Sequence, residues 1–321
     1  MSERGGPTRR RFIHLLAAAG AAPFLPRLWS VEGFEWTGTA LGAGARMLLL
    51  GLPERTAKKV VETCLEEVER LESIFSLHRK GSELSRLNED GVLVNPSLDL
   101  VRLLQASKWL NRLTGGLFDP TIQPLWRFYA EFYASRRDLA RPPADAISHL
   151  VARIGLDRVR VGAGLIRLDP GTGITLNGIA QGYITDRIAD VMRRCGLNNV
   201  LLDIGEVLAL DGRLDGSPFE IAVPESGLSL ALANAALATS SAGSLLFEVG
   251  DGLSHILNPR SGSTESPWRS LSVQHSSATI ADGLSTALVL ADADHVRRVA
   301  ALLPGLRVWA TRREGDTLVV G

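Results

Sequence analysis

Apolar residues recur along this chain with two different periods, and the switches between them mark its elements. Ala57, Val61, Cys64, Val68, Leu71 and Phe75 follow at steps of four and three, one stripe of an α-helix. Lys58, Lys59, Glu62, Glu66, Glu69 and Arg70 fall on the other face and read as solvated. A second helix is predicted over about 97–112, stopping at Thr114-Gly115-Gly116, and a third from Gly182 to Cys195, closed by Gly196. A fourth is expected near 281–291, before a helix–strand tail. Residues 31–51 read as a strand pair with Gly42, Gly44 and Gly51 as punctuation. Further short strands are expected at 158–161, 165–168, 199–203, 219–223, 235–239, 244–249 and 270–276. Residues 134–146, rich in Arg, Asp and Pro, read as a surface loop. Helices and strands intermingle without strict alternation, which predicts an α+β fold rather than a doubly wound parallel sheet.

Composition narrows the function. The 321 residues are 45% hydrophobic and 22% charged, ordinary globular values that argue against disorder. Lys plus Arg equals Asp plus Glu, 35 each, so no electrostatic case exists for a nucleic-acid partner. The two cysteines, Cys64 and Cys195, form no CxxC pair and sit on apolar helix stripes, so both are expected in the core. Residues 1–30 differ from the rest. Arg9-Arg10-Arg11-Phe12 precedes the Ala-rich run Leu15–Ala22, too short to span a bilayer, which resembles a twin-arginine export signal. The expectation is a periplasmic protein whose signal is either cleaved or retained as an anchor, with one catalytic domain over 31–321.

Four segments carry candidate chemistry. In Ala281-Asp282-Gly283-Leu284-Ser285-Thr286-Ala287-Leu288, Asp282, Ser285 and Thr286 share a helical face, with Ala281, Leu284 and Leu288 on the other. A carboxylate with two hydroxyls suits a hard cation such as magnesium, and helix capping by Asp282 is the plainer reading. Thr175-Leu176-Asn177-Gly178-Ile179-Ala180-Gln181-Gly182 is a glycine-rich entry to a helix, a place that favours phosphate, without a Walker or GxGxxG pattern. Gly116-Leu117-Phe118-Asp119-Pro120-Thr121 makes a rigid polar corner after a helix. His255-Ile256-Leu257-Asn258-Pro259-Arg260 puts a histidine before a tight turn, where a structural role is the common one.

Taken in order, together with Phe75-Ser76, Ser82-Glu83-Leu84-Ser85-Arg86-Leu87-Asn88 and Ala238-Thr239-Ser240-Ser241, these segments resemble the ApbE family of FAD:protein FMN transferases over residues 33–295. The resemblance implies an ApbE-like, T-fold-related α+β domain that binds FAD and magnesium. Such proteins attach FMN to a threonine of a target protein and release AMP. It further implies that Asp282, Ser285 or Thr286, and the Gly178 carbonyl hold the metal. Leu117, Phe118, Asp119, Gln181 and Ile256 would contact FAD, as would Leu41, His78 and Thr175, which stand at positions the family uses against the nucleotide. His255 would be the base or transition-state stabiliser.

The departures are specific. Thr175 replaces an aspartate, Gln181 a lysine, His78 a tyrosine, Asn258 an aspartate, and Asp203-Ile204-Gly205-Glu206 a Gly-Gly-Asp. They keep two other readings open: a flavin-binding or flavin-delivering protein without catalysis, and an FAD pyrophosphatase that yields free FMN. By analogy the acceptor would be a membrane electron-transfer subunit.

Overall fold

The structure is a computed structural model, and it describes residues 33–40, 43–134, 142–162, 164–242 and 254–321. The export signal expected over 1–30, Leu41 and the strand expected at 244–249 lie outside the described residues.

An eight-stranded sheet organises the molecule, in the order β1-β2-β6-β7-β10-β11-β12-β13. β1 (Gly33–Ala40) and β2 (Ala43–Leu50) form the expected hairpin, and β2 pairs onward with β6 (Val200–Asp203). β7 (Val207–Leu210), β10 (Ala235–Ser241), β11 (Ser270–His275), β12 (Arg307–Thr311) and β13 (Thr317–Val320) complete it. Its recorded pairings are antiparallel. The fold is therefore α+β, as the element order predicts.

The uninterrupted apolar run Met47-Leu48-Leu49-Leu50 follows from burial of both faces. Met47 and Leu49 enter one core, and Leu48 and Leu50 enter another on the opposite face. Leu202 and Leu201 divide in the same way, as do Ala236 and Leu237. The second core is roofed by a two-stranded sheet, β8 (Phe219–Val223) with β9 (Leu228–Leu232).

The larger core holds the helices. α1 (Glu54–Phe75) buries the predicted stripe, including Val61, Cys64 and Leu71, while Lys58, Glu62, Glu66 and Glu69 are exposed. α2 (Glu83–Asp90) is capped by Ser82, whose hydroxyl accepts the Ser85 N–H at 3.0 Å. α3 (Leu98–Leu113) matches the second predicted helix. A three-stranded sheet, β3-β5-β4, joins Val92–Val94, Leu165–Leu168 and Val159–Val161. α6 (Ala180–Arg194) packs against α1, and α7 (Ala278–Leu288) lies between α6 and strands β10 and β11. α8 (Ala293–Ala301) covers β12 and β13.

Three helices were not predicted, α2 and the two that follow. α4 (Gln123–Ala134) carries Pro124 in its first turn, where a missing N–H costs nothing, and an aromatic stripe. α5 (Ala144–Val151) takes up part of the expected loop, and residues 135–141 lie outside the description. Together they bury Leu125, Tyr129, Tyr133 and Leu257 in a small separate cluster. Cys64 is buried, and burial pushes its thiol up to about 12, whereas Cys195 sits exposed at the end of α6, where the apolar stripe has run out.

Candidate functional site

α6 and α7 cross closely because glycine permits it. A Cβ on Gly182 would lie 2.2 Å from the Ala278 carbonyl oxygen and 2.7 Å from the Asp282 Cβ. At this crossing each helix caps the other. The Gly182 N–H donates to Asp282 Oδ2 at 2.9 Å, at the start of α6, where Ile179 offers no capping side chain. In return Asp186, one turn into α6, accepts four hydrogen bonds from the start of α7. They come from the Ser277 hydroxyl (2.7 Å), the Ala278 N–H (2.8 Å), the Thr279 N–H (2.9 Å) and the Thr279 hydroxyl (2.6 Å). Both carboxylates face the positive end of the partner helix.

α7 is buried nearly all round, so the expected division into a core face and an open face does not hold. Asp282 is 4% exposed and Ser285 0%. Leu284 packs in the core, and Gly283 makes room for Leu110 of α3. The Ser285 hydroxyl donates to the Asp282 carbonyl at 3.0 Å and lies 2.8 Å from the Ser240 hydroxyl of β10. Thr286, half-buried, faces Gly178, where an added Cβ would meet its Oγ1 at 2.9 Å. Asp282, Thr286 and the Gly178 backbone thus come together, and Ser285 is committed to the helix–sheet interface.

The electrostatics of this joint are one-sided. Burial, with Asp186 nearby, raises the Asp282 carboxyl above its ordinary range, against the pull of the Gly182 N–H. Glu206, at the start of β7, is buried beside it and raised further, by burial and by the charges of Asp282 and Asp203. Burial also raises Asp203, opposed by Arg46. Two adjoining buried carboxylates, a free-facing hydroxyl and a backbone carbonyl suit a hard cation. Among the described residues no group of three His, Cys, Asp or Glu side chains converges.

The other segments singled out in the sequence are tied to this joint in turn. Asn88 of α2 pairs with the backbone of Ile174, donating to its carbonyl at 2.8 Å and accepting its N–H at 2.7 Å. That fixes the segment entering Thr175, whose N–H reaches the Pro120 carbonyl at 2.8 Å. The corner at Asp119 forms as predicted. Its carboxylate accepts the Thr121 N–H (2.9 Å), the Thr121 hydroxyl (2.6 Å) and the Asn111 amide (3.1 Å). Burial raises Asp119 more than these bonds lower it. Leu117 and Phe118 are buried on the same corner. Gln181 lies over Gly205, where a Cβ would come within 2.6 Å of its amide.

Ile256 is buried and its N–H reaches the Ser254 hydroxyl at 3.0 Å, and His255 between them is half-buried. His78 is exposed in the turn after α1, where its N–H donates to the Ser76 hydroxyl at 3.1 Å. Residue patterns gave no role to Asp186, Glu206, Asn88 or Ser240. An acidic residue inside the apolar run Val200–Leu210 was the available signal for Glu206.

The α+β fold thus sets a glycine-rich helix entry beside a buried acid pair. The ApbE family pattern matches residues 41–309, and the chain belongs to this family. Among curated relatives, the FAD:protein FMN transferase of Haemophilus influenzae is 27% identical over 267 residues, 76% of each chain. That of Chlamydia pneumoniae is 26% identical over 299 residues, covering 88% of this chain and 91% of its own. Among solved structures, the ApbE protein of Thermotoga maritima superposes with a TM-score of 0.78 at 24% identity, over 90% of this chain and 97% of its own. The flavinyl transferase ApbE of Pseudomonas stutzeri, in its apo form, gives 0.77 at 24%, over 91% and 96%.

Proposed function

We propose that the chain is a magnesium-dependent FAD:protein FMN transferase that places FMN on a threonine of an acceptor protein. The observation that carries this is the joint of α6 and α7, where Asp282, Thr286 and the Gly178 backbone converge beside a buried second carboxylate. The names of the curated relatives supply the substrate.

Asp282, Thr286 and the Gly178 carbonyl would hold the ion, with Ser285 fixing the helix that carries two of them. Magnesium, when bound, neutralises charge that develops on pyrophosphate oxygens. Leu117, Phe118 and Ile256 supply apolar surface for the flavin or adenine ring, and Asp119 keeps their corner rigid. The acceptor threonine oxygen attacks the FMN-side phosphorus, the bond to the bridging oxygen breaks, and AMP leaves with that oxygen. His255 takes the hydroxyl proton.

The test is incubation with FAD, magnesium and a candidate acceptor, read by in-gel flavin fluorescence and AMP release. Asp282→Ala is expected to abolish labelling, since the hydroxyls left behind bind the ion too weakly. Full labelling by that variant in metal-depleted buffer with added EDTA overturns the metal assignment. FAD retained without AMP release would establish a binding protein instead, and AMP with free FMN a pyrophosphatase.

A further inference from the structure

Arg260 does something that its place after the His255 turn does not announce. Its guanidinium donates to the carbonyl oxygen of Gly115, 145 positions away in the chain. Gly115 opens the turn that leads into Leu117, Phe118 and Asp119. Arg260 belongs to a hairpin turn closed by Asn258, whose carbonyl accepts the Gly262 N–H at 2.7 Å and whose N–H reaches the Ser263 carbonyl at 2.8 Å. The Asn258 side chain also accepts the Arg260 N–H at 2.9 Å, which fixes the root of the arginine.

The partner side is shaped for this contact. Gly115 has φ +60 and Gly116 φ +88, conformations that favour glycine. A Cβ on Gly115 would lie 2.8 Å from the Arg260 guanidinium nitrogen, so a side chain there would displace it. The recorded ion pairs give Arg260 no carboxylate partner among the described residues, and its bond is to a carbonyl.

We propose that Arg260 is a positioning residue that sets the spacing between the turn carrying His255 and Ile256 and the corner carrying Leu117, Phe118 and Asp119. The role in catalysis rests on the functional reading above. The clasp itself can be measured without it. Arg260 is exposed, so its loss removes a tie and leaves the cores intact.

The test compares the parent chain with Arg260→Ala, Arg260→Lys and Gly115→Ala. Amide exchange is followed by mass spectrometry on the free protein, FAD affinity by fluorescence titration, and transfer by single-turnover kinetics. Arg260→Ala should speed exchange in both 114–121 and 254–263 by about tenfold and leave α7 unchanged. It should weaken FAD binding about tenfold with a melting point within about 2 °C of the parent. Arg260→Lys, which keeps one donor, should recover most of the affinity, and Gly115→Ala should reproduce the exchange signature from the other side. Unchanged exchange in either segment overturns the clasp. Altered exchange with parental affinity and rate overturns the positioning role. Altered exchange in a protein whose parent binds no FAD overturns the flavin reading and the positioning role with it, and leaves the clasp standing.

Discussion

The helix joint and the loop junction hold the two halves of the same site by opposite means. At the joint, Asp186 and Asp282 exchange caps between α6 and α7, one buried and four half-buried hydrogen bonds, with no space for a methyl group at Gly182. At the junction, one exposed arginine reaches a carbonyl, backed by the Tyr129 hydroxyl on the Gly262 carbonyl at 2.8 Å. The separations in sequence, 100 residues for Gly182 with Asp282 and 145 for Arg260 with Gly115, are similar. Loop-closure entropy grows only logarithmically, so the two differ by about 0.3 kcal/mol on that account. What distinguishes them is burial and the number of bonds. Asp282 and Thr286, proposed for the ion, are held rigidly, and the corner at Asp119, proposed for the nucleotide, is left able to adjust.

The sharpest way to break this contrast is to overfill the joint. Gly182→Ala puts a methyl group against the Ala278 carbonyl, where backbone cannot yield cheaply. The expected loss is about 3 kcal/mol of unfolding free energy, read by denaturant titration, against a far smaller effect for Gly115→Ala at the junction. Equal losses at the two glycines would erase the distinction.

A milder intervention removes one of the reciprocal caps. Asp186→Ala leaves the first turn of α7 without its acceptor and should cost about 1–2 kcal/mol, with Asp186→Asn recovering part. Metal affinity should fall in parallel, because α7 carries Asp282 and Thr286. A stability loss without any change in magnesium binding would show that the cap does not govern the ion site.

The smallest expected effect comes from acid. α6 is anchored on its far side by Tyr183, whose hydroxyl donates to Asp99 at 2.6 Å, and by Arg187 near Asp99 and Glu67. Burial opposes ionisation of Asp99, but the bonds from Tyr183 and Arg70 outweigh it and hold the carboxyl below its ordinary value. The Arg70 hydrogen bond does the same for Glu67. A depressed folded pKa stabilises above the unfolded value and is lost as pH falls through the folded one. Below about pH 4, therefore, melting temperature should drop and exchange should quicken along α6, while the Arg260 clasp, without a titrating partner in that range, holds. Acid loosening that begins at 254–263 would contradict this.

The sequence disclosed the elements whose periodicity is undiluted. The α1 stripe, the extent of α3 and the corner at Asp119 could be read because each obeys a local rule. The faces of α7 could not be read correctly: a helix buried nearly all round has no open polar face, and Asp282, Ser285 and Thr286 at helical spacing looked like one. Ser285 and Thr286 part company only once Ser240 of β10 is in place. The mutual caps escaped notice because each lies outside the helix it caps, and α4 was hidden by aromatic residues that are indifferent helix formers. Cys195 followed the apolar stripe on paper but falls where α6 meets solvent.

The strand order has a consequence for the timing of synthesis. β2 must wait for β6, and β10 stays unpaired on one side until β11 has been made. Asp282 leaves the ribosome only after nearly nine-tenths of the chain. At about 5–20 residues per second, roughly 5–20 seconds separate emergence of Gly182 from arrival of Asp282, 100 residues later. During that interval the Gly182 N–H has no acceptor from α7. The mutual capping of Asp186 and Asp282 is thus also a completion signal: the site closes only when translation has reached the last strands.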